Sequence, residues 1–322
     1  MKILILRFSS IGDIVLTTPV IRCLKQQIHQ LTLHYCTKRA YKSLLEHNPY
    51  IDKCHFLDED LTALIAQLKA EKYDLIVDLH KNTRTRWIKW KLEVPSVGFD
   101  KLNWEKWLLV NLKINRLPKL HIVDRYMQTV EHLAVNYDGQ GLDHFIPEKD
   151  VVAIDTLPTA FHRSYVLYAI GGQHETKKLP LDKMKELVSK ISLPLVLIGG
   201  KEDQANGEEL EKRSKSLKKD VLNLCGKLNL NQSASLIQQA QKVYTHDTGM
   251  MHIAAAFKKE VICIWGNTVP EFGMYPFQTL YTSWEVKELP CRPCSKIGFD
   301  KCPKGHFKCM REQELPIPGS FI

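Results

Sequence analysis

No stretch of this sequence approaches the roughly 18 consecutive apolar residues that a membrane-spanning helix needs. The opening MKILILRF has neither the long apolar run nor the small-residue cleavage site of a secretory leader, so a soluble, cytoplasmic protein is expected. Internal repeats and low-complexity tracts are also missing, which excludes solenoid architectures. No disulfide framework is legible. Nine cysteines is an odd number, and Cys23, Cys36, Cys54, Cys225 and Cys263 stand as singletons, the usage of a reducing compartment. Two nucleotide-binding signatures are absent as well. The first strand is not followed by G-x-G-x-x-G, which argues against a dinucleotide-dependent dehydrogenase, and no G-x-x-x-x-G-K-[ST] supports a P-loop ATPase.

What is present is ample for folding. The chain has 322 residues, 44% hydrophobic and 25% charged, and at about 150 residues per domain the simplest expectation is two domains. Lys and Arg number 45 against 36 Asp and Glu, a net charge of +9. That excess suits anionic partners: nucleotides, phosphorylated glycans, nucleic acid or an acidic membrane face. Apolar, β-rich runs at 3–8, 31–36, 75–79, 165–170, 195–198, 221–224, 243–245 and 261–265 alternate with helical patterns such as Leu61, Leu64, Ile65, Leu68 and Met184, Leu187, Val188, Ile191. This alternation predicts an α/β protein whose parallel sheets are covered by helices on both faces. The rhythm occurs twice. Between the halves, residues 147–163 carry Pro147, Asp150, Asp155, Pro158 and Thr159 without helical period, so the predicted domains are 1–158 and 159–322. Segment 83–107 holds Trp87, Trp90, Trp104 and Trp107, four of the six tryptophans, among basic residues. Such a pattern fits either a surface for sugar, membrane or nucleic acid or a pair of half-buried amphipathic helices.

Ligands of open α/β sheets bind beyond the carboxyl ends of strands, which directs attention to three turns. After the first strand comes Ser9-Ser10-Ile11-Gly12-Asp13, where Gly12 permits close backbone approach and Thr18 with Pro19 reads as N-cap and N1 of the main helix. Asp13 is the one ionisable group of that turn; it reads either as a carboxylate complementing a helix dipole or as a group placed for chemistry. In the second half, Gly171-Gly172-Gln173-His174-Glu175-Thr176-Lys177-Lys178 sets a glycine turn, a hydroxyl and two lysines before a helix, a phosphate-binding composition. Gly199-Gly200-Lys201-Glu202-Asp203 follows the next strand, with Asp203 able to accept from a ribose or to open a solvated helix. Then Thr245-His246-Asp247-Thr248-Gly249-Met250-Met251-His252 leads into an alanine-rich helix. There, Asp247 is an anion-site residue or an N-cap, and His252 a ligand contact or a core residue.

These segments together resemble the lipopolysaccharide heptosyltransferases of glycosyltransferase family 9. The resemblance rests on KILILRFSSIGDIVLTTPVIRCLK, GGQHETKKLP, DTGMMHIAAA and WGNTVPEFGMYP and spans nearly the whole chain. It implies a GT-B fold of two Rossmann-like domains facing a cleft, the acceptor bound by domain 1–158 and the nucleotide-sugar donor by domain 159–322. It also implies metal-independent, inverting transfer of a heptose from ADP-heptose to the lipopolysaccharide inner core or a related lipid-linked glycan. By position, Asp13 matches the catalytic base and Lys177 the lysine that contacts the donor diphosphate. Gly12, Thr176, Asp203, Asp247, Thr248, Gly249, Met251 and His252 fall at donor-side positions. Leu179 stands where many members have Trp, and Gly172-Gln173 replace small hydroxyl residues ahead of the lysine, so the donor sugar is left open. An acceptor carrying phosphates at a membrane face would explain the basic charge and implies peripheral contact with the anionic inner face; no nucleic acid is expected.

The tail has Cys291-x-x-Cys294, Cys302-Pro-Lys-Gly-His306 and Cys309, a spacing suited to a small tetrahedral zinc site, with free thiols the alternative. No cofactor is required by the resemblance, so a zinc there would be structural. Two other function classes stay open at this point: a GT-B nucleotide-sugar epimerase or hydrolase, needing no acceptor, and a non-enzymatic basic binding module.

Overall fold

The apolar runs become strands because nearly every residue in them is buried, as parallel sheets with helices on both faces require. In the computed structural model, which describes residues 1–316, the chain divides into two compact units. The first comprises Met1–Leu102 and Leu120–Pro147; the second comprises Asn103–Lys119 and the chain from Glu148 onward. The division thus precedes the boundary expected at 158, and the pattern of the sequence gives no sign that 103–119 joins the second unit. Packing explains it. Leu109 joins Val269 and Phe272 in a small apolar cluster, and the Lys113 ammonium donates to the carbonyls of Val110, Cys291 and Pro293 at 2.7, 3.2 and 2.7 Å.

The first unit holds a five-stranded parallel sheet in the order β3-β2-β1-β4-β5, from β1 (Lys2–Leu6), β2 (Thr32–Lys38), β3 (Lys53–Leu57), β4 (Leu75–Asp78) and β5 (Ser96–Gly98). Its helices are α1 (Ile11–Val15), α2 (Thr18–Gln27), α3 (Leu61–Ala70), α4 (Thr83–Leu92) and α6 (Ile122–Met127), while α5 (Asn103–Trp107) belongs to the second unit. Helix α3 buries Leu64, Ile65 and Leu68, and Asp60 caps it by accepting the Thr62 and Ala63 amides. Helix α2 corrects one expectation. Its N-cap is Thr17, with Thr18 and Pro19 already inside the first turn. The Thr18 hydroxyl donates back to the Val15 carbonyl at 2.7 Å, because the short α1 leads almost directly into α2.

The second unit holds a six-stranded parallel sheet in the order β11-β10-β9-β6-β7-β8, from β6 (Val166–Ala169), β7 (Leu195–Ile198), β8 (Val221–Asn223), β9 (Lys242–His246), β10 (Glu260–Trp265) and β11 (Tyr281–Glu285). Helices α7 (Leu181–Lys190), α8 (Gln204–Ser216), α9 (Leu230–Gln239) and α10 (Gly249–Ala256) cover it, and α11 (Lys308–Arg311) lies in the tail. Residues 147–163 form only short 3-10 turns, in which Asp150 accepts from Asn229 and Asn231. The tryptophan segment is surface: Trp87, Trp90, Trp104 and Trp107 are 48%, 61%, 63% and 47% exposed. Lys91 lies 4.4 Å from the Trp90 ring centre, and Trp104 stacks on Trp107. Among the described residues no helix is long and apolar enough to cross a membrane.

Candidate functional site

In each sheet the strand order reverses beside the unit's first strand, and the crevice at such a switch point is where parallel sheets bind ligands. In the first unit the switch lies between β1 and β4. The turn after β1 places Asp13 in the first turn of α1, where its Oδ2 accepts the Ser10 amide at 3.0 Å and the Ser10 hydroxyl at 2.8 Å. Oδ1 pairs with Arg7 Nη2 at 2.6 Å, and the carboxylate keeps 22% of its surface in solvent. Burial pushes the Asp13 carboxyl upward, but the Arg7 guanidinium and the two Ser10 bonds prevail and hold it below the usual carboxylate range. The guanidinium is itself fixed by the carbonyls of Ser9 (2.7 Å) and Leu79 (2.5 Å) and by the Tyr126 hydroxyl (3.0 Å). Beside them His80, edge-on to Phe8, is pulled down to about 4 by burial and by Arg7. This is an ionised, partly accessible carboxylate on a rigid mount.

In the second unit the switch lies between β6 and β9, and an ion pair joins the two turns that follow them. Lys177 Nζ sits 2.6 Å from Asp247 Oδ2 and donates to the Asp247 carbonyl at 3.2 Å. The Thr268 hydroxyl, from the turn after β10, donates to the same Oδ2 at 2.8 Å. Thr248 caps α10 through its backbone conformation, its hydroxyl 3.4 Å from that of Thr245. A side chain on Gly172 would meet the Thr248 methyl at 3.1 Å, so glycine lets these turns approach. Beneath them, buried His246 accepts the Leu179 amide at Nε2 (3.0 Å) and lies 3.1 Å from the Tyr168 hydroxyl. Burial and Lys178 pull it down to about 3, so it stays neutral.

The cysteine tail holds these turns from outside the sheet. Thr176 exchanges bonds with Phe299: its amide and hydroxyl donate to the Phe299 carbonyl at 3.1 and 3.0 Å, and its oxygen accepts the Phe299 amide at 2.8 Å. Arg292 donates to the carbonyls of Gly266 and Thr268 at 2.7 and 2.8 Å and pairs with Glu285 at 2.7 Å. At Gly266 a Cβ would stand 2.5 Å from the Thr176 carbonyl oxygen and 2.6 Å from Met310 Cε. Gly266→Ala is therefore expected to cost about 1–3 kcal/mol by overpacking, read as a lowered thermal midpoint. An unchanged midpoint would show that the Thr176 turn yields freely.

The residues singled out in the sequence thus fall in two groups. Gly12 and Asp13 share the turn after β1; Thr176, Lys177, Asp247, Thr248 and Gly249 gather at the turns after β6 and β9. Asp203 is 1% exposed, its carboxylate accepting the Gly200 amide at 2.9 Å and facing Lys178 at 3.4 Å, with burial raising its carboxyl. Met251 and His252 are buried in α10, and Met251 receives the Cys263 thiol on its sulfur. Asp247 is not the N-cap; that position is Thr248, because the Asp247 carboxylate is engaged by Lys177 and Thr268. Arg7, Tyr126, His80 and Thr268 were not singled out in the sequence, and Lys178, read there as a second phosphate-side lysine, instead pairs with Glu175 and faces buried Asp203. Of the four not singled out, only Arg7 leaves a signal in the sequence, as a cation interrupting an apolar strand run.

Two parallel-sheet Rossmann-like units, each with polar groups at its switch point, are the architecture of the GT-B fold. The sequence pattern of glycosyltransferase family 9 (heptosyltransferase) matches residues 61–302, and the chain belongs to that family of sugar-transferring enzymes. It is 25% identical over 294 residues to lipooligosaccharide heptosyltransferase 2 of Haemophilus influenzae, covering 84% of this chain and 85% of the relative. Among solved structures it is similar to E. coli ADP-heptose lps heptosyltransferase II, with TM-score 0.69 and 19% identity over 97% of this chain and 98% of that one. It is also similar to E. coli heptosyltransferase WaaC with ADP-2-deoxy-2-fluoro heptose, with TM-score 0.66 and 19% identity over 92% and 96%.

Proposed function

We propose that this enzyme moves a heptose from ADP-heptose to the lipopolysaccharide inner core or a related lipid-linked glycan, with inversion and without a catalytic metal. The observation that carries this reading is the ionised, partly exposed Asp13 carboxylate, mounted by Arg7 and Ser10 at a switch point. Asp13 takes the proton of the acceptor hydroxyl as that oxygen bonds to the anomeric carbon and the bond from that carbon to the ADP oxygen breaks. ADP leaves as an anion and needs no proton if its charge is balanced. Lys177 supplies that balance: the diphosphate displaces Asp247 from the ammonium, while Thr268 keeps a bond to the released carboxylate. Thr248 and Gly249, at the opening of α10, add a hydroxyl and backbone amides. The remaining donor-side residues, Gly12, Thr176, Asp203, Met251 and His252, act by shaping and supporting these turns.

The acceptor is amphiphilic and anionic, which fits the net charge of +9 and the exposed tryptophans with Lys91 beside them. Peripheral contact with the inner face of the cytoplasmic membrane follows from this reading. The test is ADP release from ADP-heptose with and without heptose-deficient lipopolysaccharide, with the anomeric configuration of the product read by NMR. Release that needs the acceptor, with the anomeric centre inverted, is expected. Release without acceptor would instead mark an epimerase or hydrolase, and ADP binding without transfer would overturn the substrates.

We also propose a structural zinc in the tail, held by Cys291, Cys294, Cys302 and Cys309. The Cys291 thiol lies 3.8 Å from His306, and Cys294 donates to the Cys291 carbonyl at 3.0 Å. What supports this reading is the Cys-x-x-Cys spacing together with this proximity; the four thiols do not converge to within ligand distance among the described residues, so the tail would have to close on the ion. One equivalent of zinc by elemental analysis, lost in Cys294→Ser together with thermal stability, is expected. A zinc-free protein of equal stability would show that the thiols stand alone.

A further inference from the structure

A second convergence of polar side chains lies in the first unit near the beginnings of its strands, away from the turn that bears Asp13. His34 comes from β2, His55 from β3, and Glu71 and Tyr73 from the connection between α3 and β4. His34 Nδ1, His55 Nε2 and the Tyr73 hydroxyl form a triangle: 3.2 Å between the nitrogens, and 2.9 and 3.1 Å from the hydroxyl to each. Both imidazoles are 4% exposed. Glu71 stands over the triangle, its Oε2 3.9 Å from His34 Nδ1 and its Oε1 3.8 Å from His55 Nε2. Lys2 and Lys53 each hold one of its oxygens, at 2.7 and 2.5 Å.

Hydrogens cannot serve all three contacts of this triangle. A neutral imidazole nitrogen has either a hydrogen or a lone pair. With one ring nitrogen protonated, the triangle contains two hydrogens, that one and the phenol's, for three contacts. With both protonated, the phenol hydrogen has no acceptor; with neither, two lone pairs face each other. No assignment of hydrogens serves every contact, and with both nitrogens unprotonated their lone pairs and the phenol oxygen converge on one buried point. Zinc takes nitrogen and oxygen ligands at about 2.0–2.2 Å in a tetrahedron, which spaces them by about 3.3 Å. Opening the triangle by a few tenths of an ångström and closing Glu71 onto it produces that figure.

We propose that His34, His55, Tyr73 and Glu71 form a binding site for a divalent transition metal of the zinc type, tying β2 and β3 to the chain entering β4. Imidazole ligands favour this class over magnesium or calcium. Lys2 and Lys53 orient the carboxylate and temper its charge, as outer partners of a metal ligand do. The site is separate from the tail thiols and touches no reacting group.

Full-length protein freed of metal with a chelator is titrated with Zn²⁺, and bound metal is measured by elemental analysis. The same titration is run on His34→Gln/His55→Gln, Tyr73→Phe, Glu71→Gln and, as control, Asp13→Asn. Wild type and Asp13→Asn are expected to hold one equivalent more than the double histidine variant, and Glu71→Gln to bind that equivalent about 10–100-fold more weakly. Co²⁺ distinguishes the sites: thiolate-to-metal bands of the tail persist in the double variant, while visible bands from nitrogen and oxygen ligation disappear. If the double variant does not fold, the Tyr73 and Glu71 variants carry the test. Identical zinc titrations for wild type and both of these variants would overturn the proposal.

Discussion

Asp13→Asn is expected to lower kcat for sugar transfer by about 10²–10⁴-fold, the range for loss of a positioned general base, while ADP affinity stays within a few fold. The substitution keeps the size of the side chain, removes its charge and replaces one acceptor oxygen by an NH2 donor, so the remaining oxygen can serve either Ser10 or Arg7 but not both. Arg7 retains the Ser9 and Leu79 carbonyls and the Tyr126 hydroxyl, so the turn has reason to stay in place. Steady-state kinetics beside calorimetric ADP binding separate the two effects, and an Asn variant with near wild-type kcat would remove the base from the mechanism. The pH profile gives an independent reading. Burial raises the Asp13 carboxyl, but Arg7 and Ser10 outweigh it and leave it depressed. The carboxylate is then ionised throughout neutral pH, and kcat/KM is expected to stay level on the acid side until below the ordinary carboxylate value of about 3.9. The stability contributed by this depressed group is present above its unfolded value and declines as pH falls through the folded one. An acid limb near neutrality would assign the base to another residue.

Lys177→Met is expected to weaken ADP binding by about 10–100-fold, the equivalent of the 1.5–3 kcal/mol associated with a hydrogen bond to a charged group. Methionine keeps much of the lysine stem, and Asp247 keeps Thr268 as a partner, which limits collapse of the turn. The specificity of the loss is the more telling readout. Adenosine has no diphosphate for the ammonium to hold, so its affinity is expected to be the same in both proteins. Equal losses for ADP and adenosine would mean that the Lys177–Asp247 pair merely supports the turns. Lys177→Arg is expected to restore only part of the ADP affinity, because a planar guanidinium does not reproduce the compact ammonium charge.

The strands β1, β2, β4, β6, β7, β8, β9 and β10 were legible because most of their side chains are buried, leaving short β-rich apolar runs. β3 was hidden by Lys53 and His55, which break such a run; β5 is too short, and β11 too exposed along its edge, to carry one. Asp13 and Lys177 could be picked out because each lies in a polar turn directly after a strand. Their mounts could not. Arg7 reaches Tyr126 across 119 positions, and Thr176 meets Phe299 across 123, distances over which spacing says nothing. Thr176 illustrates the cost: its hydroxyl, a donor-side candidate by position, is bonded to the tail.

That same bond bears on the order in which the molecule is completed during synthesis. Thr176 is synthesised 123 residues before Phe299, and Gly266 and Thr268 are synthesised 26 and 24 residues before Arg292, the residues that fasten the turns after β6 and β10. A nascent chain can pair its strands as they emerge, yet Thr176 and the carbonyls of Gly266 and Thr268 must wait for the tail. The turn that bears Lys177 is therefore fastened late in translation, and a chain cut before Cys291 would lack the bonds from Phe299 and Arg292 that hold it and the turn after β10.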